Sequence, residues 1–262
     1  MPNLIVNGVK LNYRLHGEGK PVVLIGGLGS QISSWDDQVP LYSQRYRVLV
    51  FDNRGSGLSD KPESGYGTED MADDTAALME ALGIESAHVV GKSMGGMIGQ
   101  WLAIKYPEKV DRLVLACSSA SRDEVGNLIL RMGRQVAESS GMKTVWLMAL
   151  YLGYTRQYIE RNIDHIMGVM ESLPEDPGAL DGYIGQSYAC EGHNTIERLP
   201  DIKSPTLVMF GENDIIASPD NSRIMSELIP QAELKAFRGL GHGFWREARE
   251  EVDNHVLNFL SR

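Results

Sequence analysis

Ser93 stands at the centre of Gly91-Lys92-Ser93-Met94-Gly95, directly after the apolar run Ala87-His88-Val89-Val90 and directly before a helical pattern. A sharp strand-to-helix turn of this kind lifts a hydroxyl above the strand ends, where it can attack a carbonyl. Gly91 and Gly95 leave room where a Cβ would crowd the turn. The backbone N–H of Met94, opening the helix, can face the negative oxygen that such an attack creates. Taken alone, the five residues also fit an ordinary glycine-rich turn, so the reading depends on partners elsewhere in the chain.

An alcohol needs a base tuned near neutrality. His242 fits best, in the flexible turn Gly239-Leu240-Gly241-His242-Gly243 between the last predicted strand and the last helix. The other histidines are placed less well. His88 falls inside the strand before Ser93, His255 on the terminal helix, His16 in an N-terminal turn, and His165 and His193 in a central helical region. A carboxylate must then hold the imidazole tautomer. Asp214 suits that role, since Gly211-Glu212-Asn213-Asp214 follows a predicted strand; Glu212 and Asp123 are its rivals.

These residues need a sheet to present them. Leu4 to Val6 and Val9 to Leu15 flank Asn7-Gly8, a hairpin signal. Val22 to Ile25, Arg47 to Phe51, His88 to Val90 and Leu113 to Ala116 read as short buried parallel strands joined by crossover helices. Helices are predicted through Met71 to Leu82 and from Met94 to Tyr106, the latter stopped by Pro107. From Ser121 to Leu199 the apolar residues, among them Leu128, Leu130, Val136, Trp146, Leu147, Tyr151, Ile159, Ile163 and Ile166, recur mainly at helical spacing. That pattern predicts a helical cap. A strand through Thr206 to Phe210, a helix start at Ser218-Pro219, a strand at Glu233 to Phe237 and a helix from about Arg246 to Leu260 complete the scheme. The expected organisation is 1–120 and 200–262 as two parts of one core, with 121–199 inserted.

Composition narrows the partners. With 35 acidic against 25 basic side chains the formal charge is -10, which gives a nucleic-acid backbone or an anionic membrane no obvious positive surface. The N-terminal residues are too polar for a signal peptide and no apolar run reaches spanning length, so a cytoplasmic protein is expected. Cys117 and Cys190 are far apart and lack a ligand cluster, which predicts two free thiols and no metal. Lys92 is expected to point away from the oxyanion and snorkel to solvent. Trp35 is read as packing, Asp52 and Arg54 as loop supports, and Arg131, Arg134, Arg156 and Arg161 as a wet face. Cap aromatics such as Trp146 and Tyr154 are candidate pocket walls.

The order Ser93, Asp214, His242 resembles the α/β-hydrolase superfamily. So do Gly26-Gly27-Leu28-Gly29-Ser30, Trp35 and Phe51-Asp52-Asn53-Arg54-Gly55-Ser56-Gly57-Leu58-Ser59, along nearly the whole chain. The stretch Gly91 to Trp101 is most similar to the small carboxylesterase and 3-oxoadipate enol-lactonase branch. The resemblance implies an α/β-hydrolase fold, with a mostly parallel central sheet and an inserted helical cap. It also implies that the N–H of Leu28 joins that of Met94 in an oxyanion hole, although Gly26 replaces the common His at the start of that loop. The implied activity is hydrolysis of a small ester or lactone through an acyl-enzyme without a cofactor. Hydrolysis of a carbon-carbon bond in a vinylogous diketone is the alternative, and a homodimer is possible. An aspartate nucleophile, as in dehalogenation, is disfavoured by Ser93. Intact Ser93, Asp214 and His242 argue against a noncatalytic receptor.

Overall fold

The computed structural model describes residues 2–172 and 176–262. Its eight strands are β1 (Asn3–Val6), β2 (Val9–His16), β3 (Lys20–Ile25), β4 (Tyr46–Phe51), β5 (Ala87–Lys92), β6 (Val110–Ala116), β7 (Thr206–Gly211) and β8 (Ala232–Phe237). They form one sheet in the order β1-β2-β4-β3-β5-β6-β7-β8. Only the first two pairings, β1 with β2 and β2 with β4, are antiparallel. Asn7 and Gly8, at φ 50 and 76, make the expected tight hairpin. His16 ends β2, paired to Val48, rather than lying in a turn.

The apolar runs behave as the sequence requires of strands covered on both faces. Val22, Val23, Leu24 and Ile25, like Val48, Leu49 and Val50, are fully buried. On one side they pack with α2 (Thr68–Ala81) and α3 (Met94–Lys105) through Leu78, Met79, Ile98 and Leu102. On the other, Trp35, Tyr42, Trp245, Val256 and Phe259 close the second core. These come from a turn at Ile32–Trp35, α1 (Val39–Tyr42), and the C-terminal helices.

Between β6 and β7 lie the cap helices α4 (Glu124–Gly153), α5 (Arg156–Ser172) and α6 (Ala179–Glu191). Asp123 caps α4, accepting from the Gly126 amide at 2.6 Å. Gly141, at φ 77 and ψ 169, breaks α4 into two helical stretches. The cap stripe is less buried than its spacing suggests: Leu130 and Ile166 are buried, but Leu128, Leu147, Tyr151 and Ile163 are exposed. A single layer of helices over a core has one covered face and leaves the rest to water. Beyond β7, α7 (Pro219–Leu228) starts at Ser218, whose hydroxyl accepts from the Asp220 amide. The predicted terminal helix is divided into α8 (Phe244–Glu247) and α9 (Arg249–Leu260), because Ala248 leaves the helical region at φ -116, ψ 38. No described helix is long and apolar enough to cross a membrane.

Candidate active site

Strand order reverses at β3, whose neighbours are β4 and β5. Clefts form beyond the carboxyl ends of strands at such a reversal. The loop after β3 carries Leu28, the turn after β5 carries Ser93, and the loops after β7 and β8 carry Asp214 and His242, so all four meet one edge of the sheet.

Ser93 adopts φ 53 and ψ -118, a conformation that costs a side-chain-bearing residue roughly 1–3 kcal/mol. Several contacts hold it there. Its N–H donates to Ala116 O at 2.8 Å, while its carbonyl accepts from Gly96 N at 2.9 Å and Ser118 Oγ at 2.9 Å. The glycines are needed for space: a Cβ on Gly91 would overlap the Gly95 carbonyl, and one on Gly95 would overlap the carbonyl oxygen of Ile25. Thus the elbow is pressed against both the adjoining strand and its own helix.

Asp214 is buried and His242 largely so. His242 Nδ1 and Asp214 Oδ2 are 2.7 Å apart. Because a carboxylate only accepts, this pairing puts the ring proton on Nδ1 and leaves Nε2 free to act as a base. The other carboxylate oxygen accepts from the amides of Ile216 at 2.8 Å and Ala217 at 2.9 Å. Asn213 N donates to Leu240 O at 2.8 Å, tying the acid loop to the histidine loop. Glu212 is exposed, and Asp123 is engaged at the start of α4, so neither rival reaches the imidazole. His88 is buried in β5, and His193 lies against Thr68, with Nδ1 2.8 Å from its Oγ1. Burial pushes the pKa of His88 down to about 4 and that of His193 to about 3.

The loop expected to supply the second oxyanion donor is held from below. Asp52 accepts from Ile32 N at 2.7 Å, Leu58 N at 2.9 Å and Asn12 Nδ2 at 2.7 Å, and Asn53 Nδ2 donates to Gly26 O at 3.1 Å. Arg54 makes a two-point contact with Asp74 at 2.6 and 2.7 Å. These are the supporting roles expected for Asp52 and Arg54. From above, the cap reaches the same edge: a Cβ on Gly29 would strike the Trp146 indole, and Gly243 N donates to Gly153 O at 2.7 Å. Thr155 of the cap also bonds Glu247 just beyond His242. A polar depression lined by Arg54, Asp70, Asp73 and Tyr106 lies apart from these loops and includes none of the three candidate residues.

Lys92 departs from expectation. Instead of reaching solvent, its ammonium lies 4.0 Å from the centre of a Trp35 ring and 5.4 Å from that of Trp245. Desolvation lowers its pKa to about 8. Trp35 is fully buried against Trp245, in agreement with a packing role. Arg131 and Arg134 are occupied by Glu191, and Arg156 by Glu160. The sequence reading missed Ser118, which bonds the Ser93 carbonyl, and Gln186, which contacts the Leu28–Gly29 loop. A polar residue on a cap helix carries no local signal of such a reach. Cys117 and Cys190 are both buried free thiols; burial pushes each up to about 12.

A doubly covered, mostly parallel sheet with a helical cap, carrying an acid–histidine pair and a strained serine on loops at one of its edges, defines a hydrolase architecture. The family model for the alpha/beta hydrolase fold matches residues 20–244, and the chain belongs to that family. The "Putative carbamate hydrolase RutD" of Azorhizobium caulinodans is 28% identical over 267 residues, covering 99% of this chain and 98% of that protein. The 3-oxoadipate enol-lactonase 2 of Acinetobacter baylyi is 29% identical over 236 residues, covering 88% and 86%. Among solved structures, the enol-lactonase from Burkholderia xenovorans LB400 superposes with a TM-score of 0.91 at 28% identity, covering both chains completely. The chain is thus an enzyme of the α/β-hydrolase superfamily, related to its esterase and lactonase branch.

Proposed function

We propose that Ser93, His242 and Asp214 form a catalytic triad that hydrolyses a small carboxylic ester or lactone. The observation carrying this reading is the 2.7 Å His242–Asp214 bond, at the same sheet edge as the strained Ser93. His242 Nε2 takes the Ser93 proton as Oγ attacks the carbonyl, and the amides of Leu28 and Met94 receive the developing oxyanion. Collapse of the tetrahedral species breaks the ester bond, and His242 passes its proton to the departing alcohol oxygen. Water, deprotonated by His242, then releases the acid and restores Ser93 Oγ–H. In a lactone the alcohol stays tethered to the acyl group, and the product is one hydroxy acid or, from an enol lactone, an enol acid that tautomerises to the keto acid. No step calls on a cofactor.

Trp146 against Gly29 and Gly153 beside the His242 loop support a substrate pocket roofed by the cap. The test is turnover of purified protein on a matched panel of short esters, small lactones, carbamates and vinylogous diketones. Highest kcat/KM on esters or lactones supports the reading. Exclusive turnover of diketones would select carbon-carbon hydrolysis, and exclusive turnover of carbamates would move the protein beside its carbamate hydrolase relative.

A further inference from the structure

The cap does more than roof the edge, because one of its side chains is built into the loop beneath it. Gln186 lies on α6 and is fully buried. Its Oε1 accepts from the Gly29 amide at 2.7 Å, and its Nε2 donates to the Arg54 carbonyl at 2.7 Å. One amide group therefore ties together two loops that follow different strands, β3 and β4. Helix α6 can approach this closely because it presents glycines. A Cβ on Gly182 would overlap the Gly55 carbonyl, and one on Gly185 would come within 2.8 Å of the Pro62 carbonyl. Arg54 is itself locked by its paired contact with buried Asp74, so the far end of the clamp is fixed.

We propose that Gln186 is a positioning residue for the oxyanion hole, which makes the seating of the cap a condition for transition-state stabilisation. This rests on the reading of Leu28 N–H as an oxyanion donor. The bond to Gly29 N–H fixes the Leu28–Gly29 peptide plane, with Gly29 at φ 66, and thereby restricts the rotation of Leu28 on which the direction of its own N–H depends. Gln186 touches no reacting atom in this scheme. Its effect falls on kcat, since a misdirected donor loses interaction with the oxyanion more than with the ground-state carbonyl. If Gln186 served only to hold the cap, its loss would fall on KM or on folding and leave the kcat of the folded enzyme unchanged.

Two substitutions separate these roles, with 4-nitrophenyl acetate as substrate and phenylboronic acid as the tetrahedral probe. Gln186→Met keeps length but removes both contacts, whereas Gln186→Glu, its carboxyl neutral in this buried site, keeps an acceptor for Gly29 and an O–H donor for the Arg54 carbonyl. For folded Gln186→Met the expected result is a kcat loss of about 10- to 100-fold, in the range of a weakened oxyanion donor. KM should stay within about threefold, and phenylboronic acid should bind more weakly in step with kcat/KM. Gln186→Glu should keep kcat within about fivefold of wild type, because the retained acceptor still fixes the peptide. Wild-type kcat in Gln186→Met, a loss confined to KM, or an equal kcat loss in both variants overturns the proposal. Should Gln186→Met not fold, a folded Gln186→Glu with a kcat loss of about tenfold or more overturns it alone. Acylation of wild-type Ser93 by the same ester, read by mass spectrometry, keeps the outcomes apart. Without that acylation the triad reading fails, and with it only the role of Gln186 is at stake.

Discussion

Lys92 is held in an environment that disfavours its charge, so replacing it should stabilise the protein in a pH-dependent manner. Its pKa is lowered from 10.5 to about 8, chiefly by desolvation. That difference corresponds to roughly 3 kcal/mol of cost for carrying the proton in the folded state. The sign follows from proton binding. Between about pH 8 and 10.5 the unfolded chain holds a proton that the folded chain has released, so stability rises with pH across this window. Below it the folded protein bears the whole cost. The charged neighbours Asp37, Arg246 and Asp253 bear on Lys92, as does Cys117, whose thiol is pushed up to about 12 and so stays neutral there.

Lys92→Met removes the titration while keeping an unbranched side chain against the rings. Urea unfolding of both proteins at about pH 7 and about pH 10 should show the variant gaining roughly 2–3 kcal/mol more, relative to wild type, at the lower pH. Other alkaline titrations, such as those of the tyrosines, cancel in this comparison. A difference between the two proteins that does not change with pH would refute the reasoning, as would a variant favoured at the higher pH.

Asp214→Asn should lower kcat for ester hydrolysis by about 10³- to 10⁴-fold without unfolding the protein, because an amide can hold the ring while favouring the wrong tautomer; steady-state kinetics with a circular dichroism control would show it, and a loss under about tenfold would contradict it. Gly95→Ala should cost at least about 1–3 kcal/mol of stability, since its methyl overlaps the Ile25 carbonyl where neither backbone can yield. Denaturant midpoints check this, and an unchanged midpoint would show that the elbow has slack.

Much of the architecture was legible because it depends on local chemistry. Runs such as Val22 to Ile25, short and rich in branched residues, suit strands with both faces covered, Asn7-Gly8 supplies the two positive φ angles of the hairpin, and Pro107 stops α3. The pairing of Asp214 with His242 was legible for a related reason, since Asp214 follows β7 at the distance a turn needs to fold back on the His242 loop. What escaped depends on contacts between distant segments. The local sequence sends Lys92 to water, but Trp35 and Trp245 converge on it from opposite ends of the chain. Gln186 meets Gly29 across 157 positions of sequence. The break at Ala248 also left little local trace, because alanine is a favoured helical residue. In the cap, periodicity identified helices correctly but could not say which apolar residues the core would have room to cover.

The central claim is that Ser93 becomes acylated during turnover. The direct measurement is intact-protein mass spectrometry, followed by peptide mapping, after rapid acid quenching of wild type and Ser93→Ala mixed with 4-nitrophenyl acetate. Wild type should carry one acetyl group on the peptide containing Ser93, appearing before steady state and disappearing as substrate is exhausted. Ser93→Ala should fold, carry no acetyl group there and lose turnover. Equal hydrolysis by the two proteins, or an acetyl group on another residue formed and lost at the rate of turnover, would contradict the account.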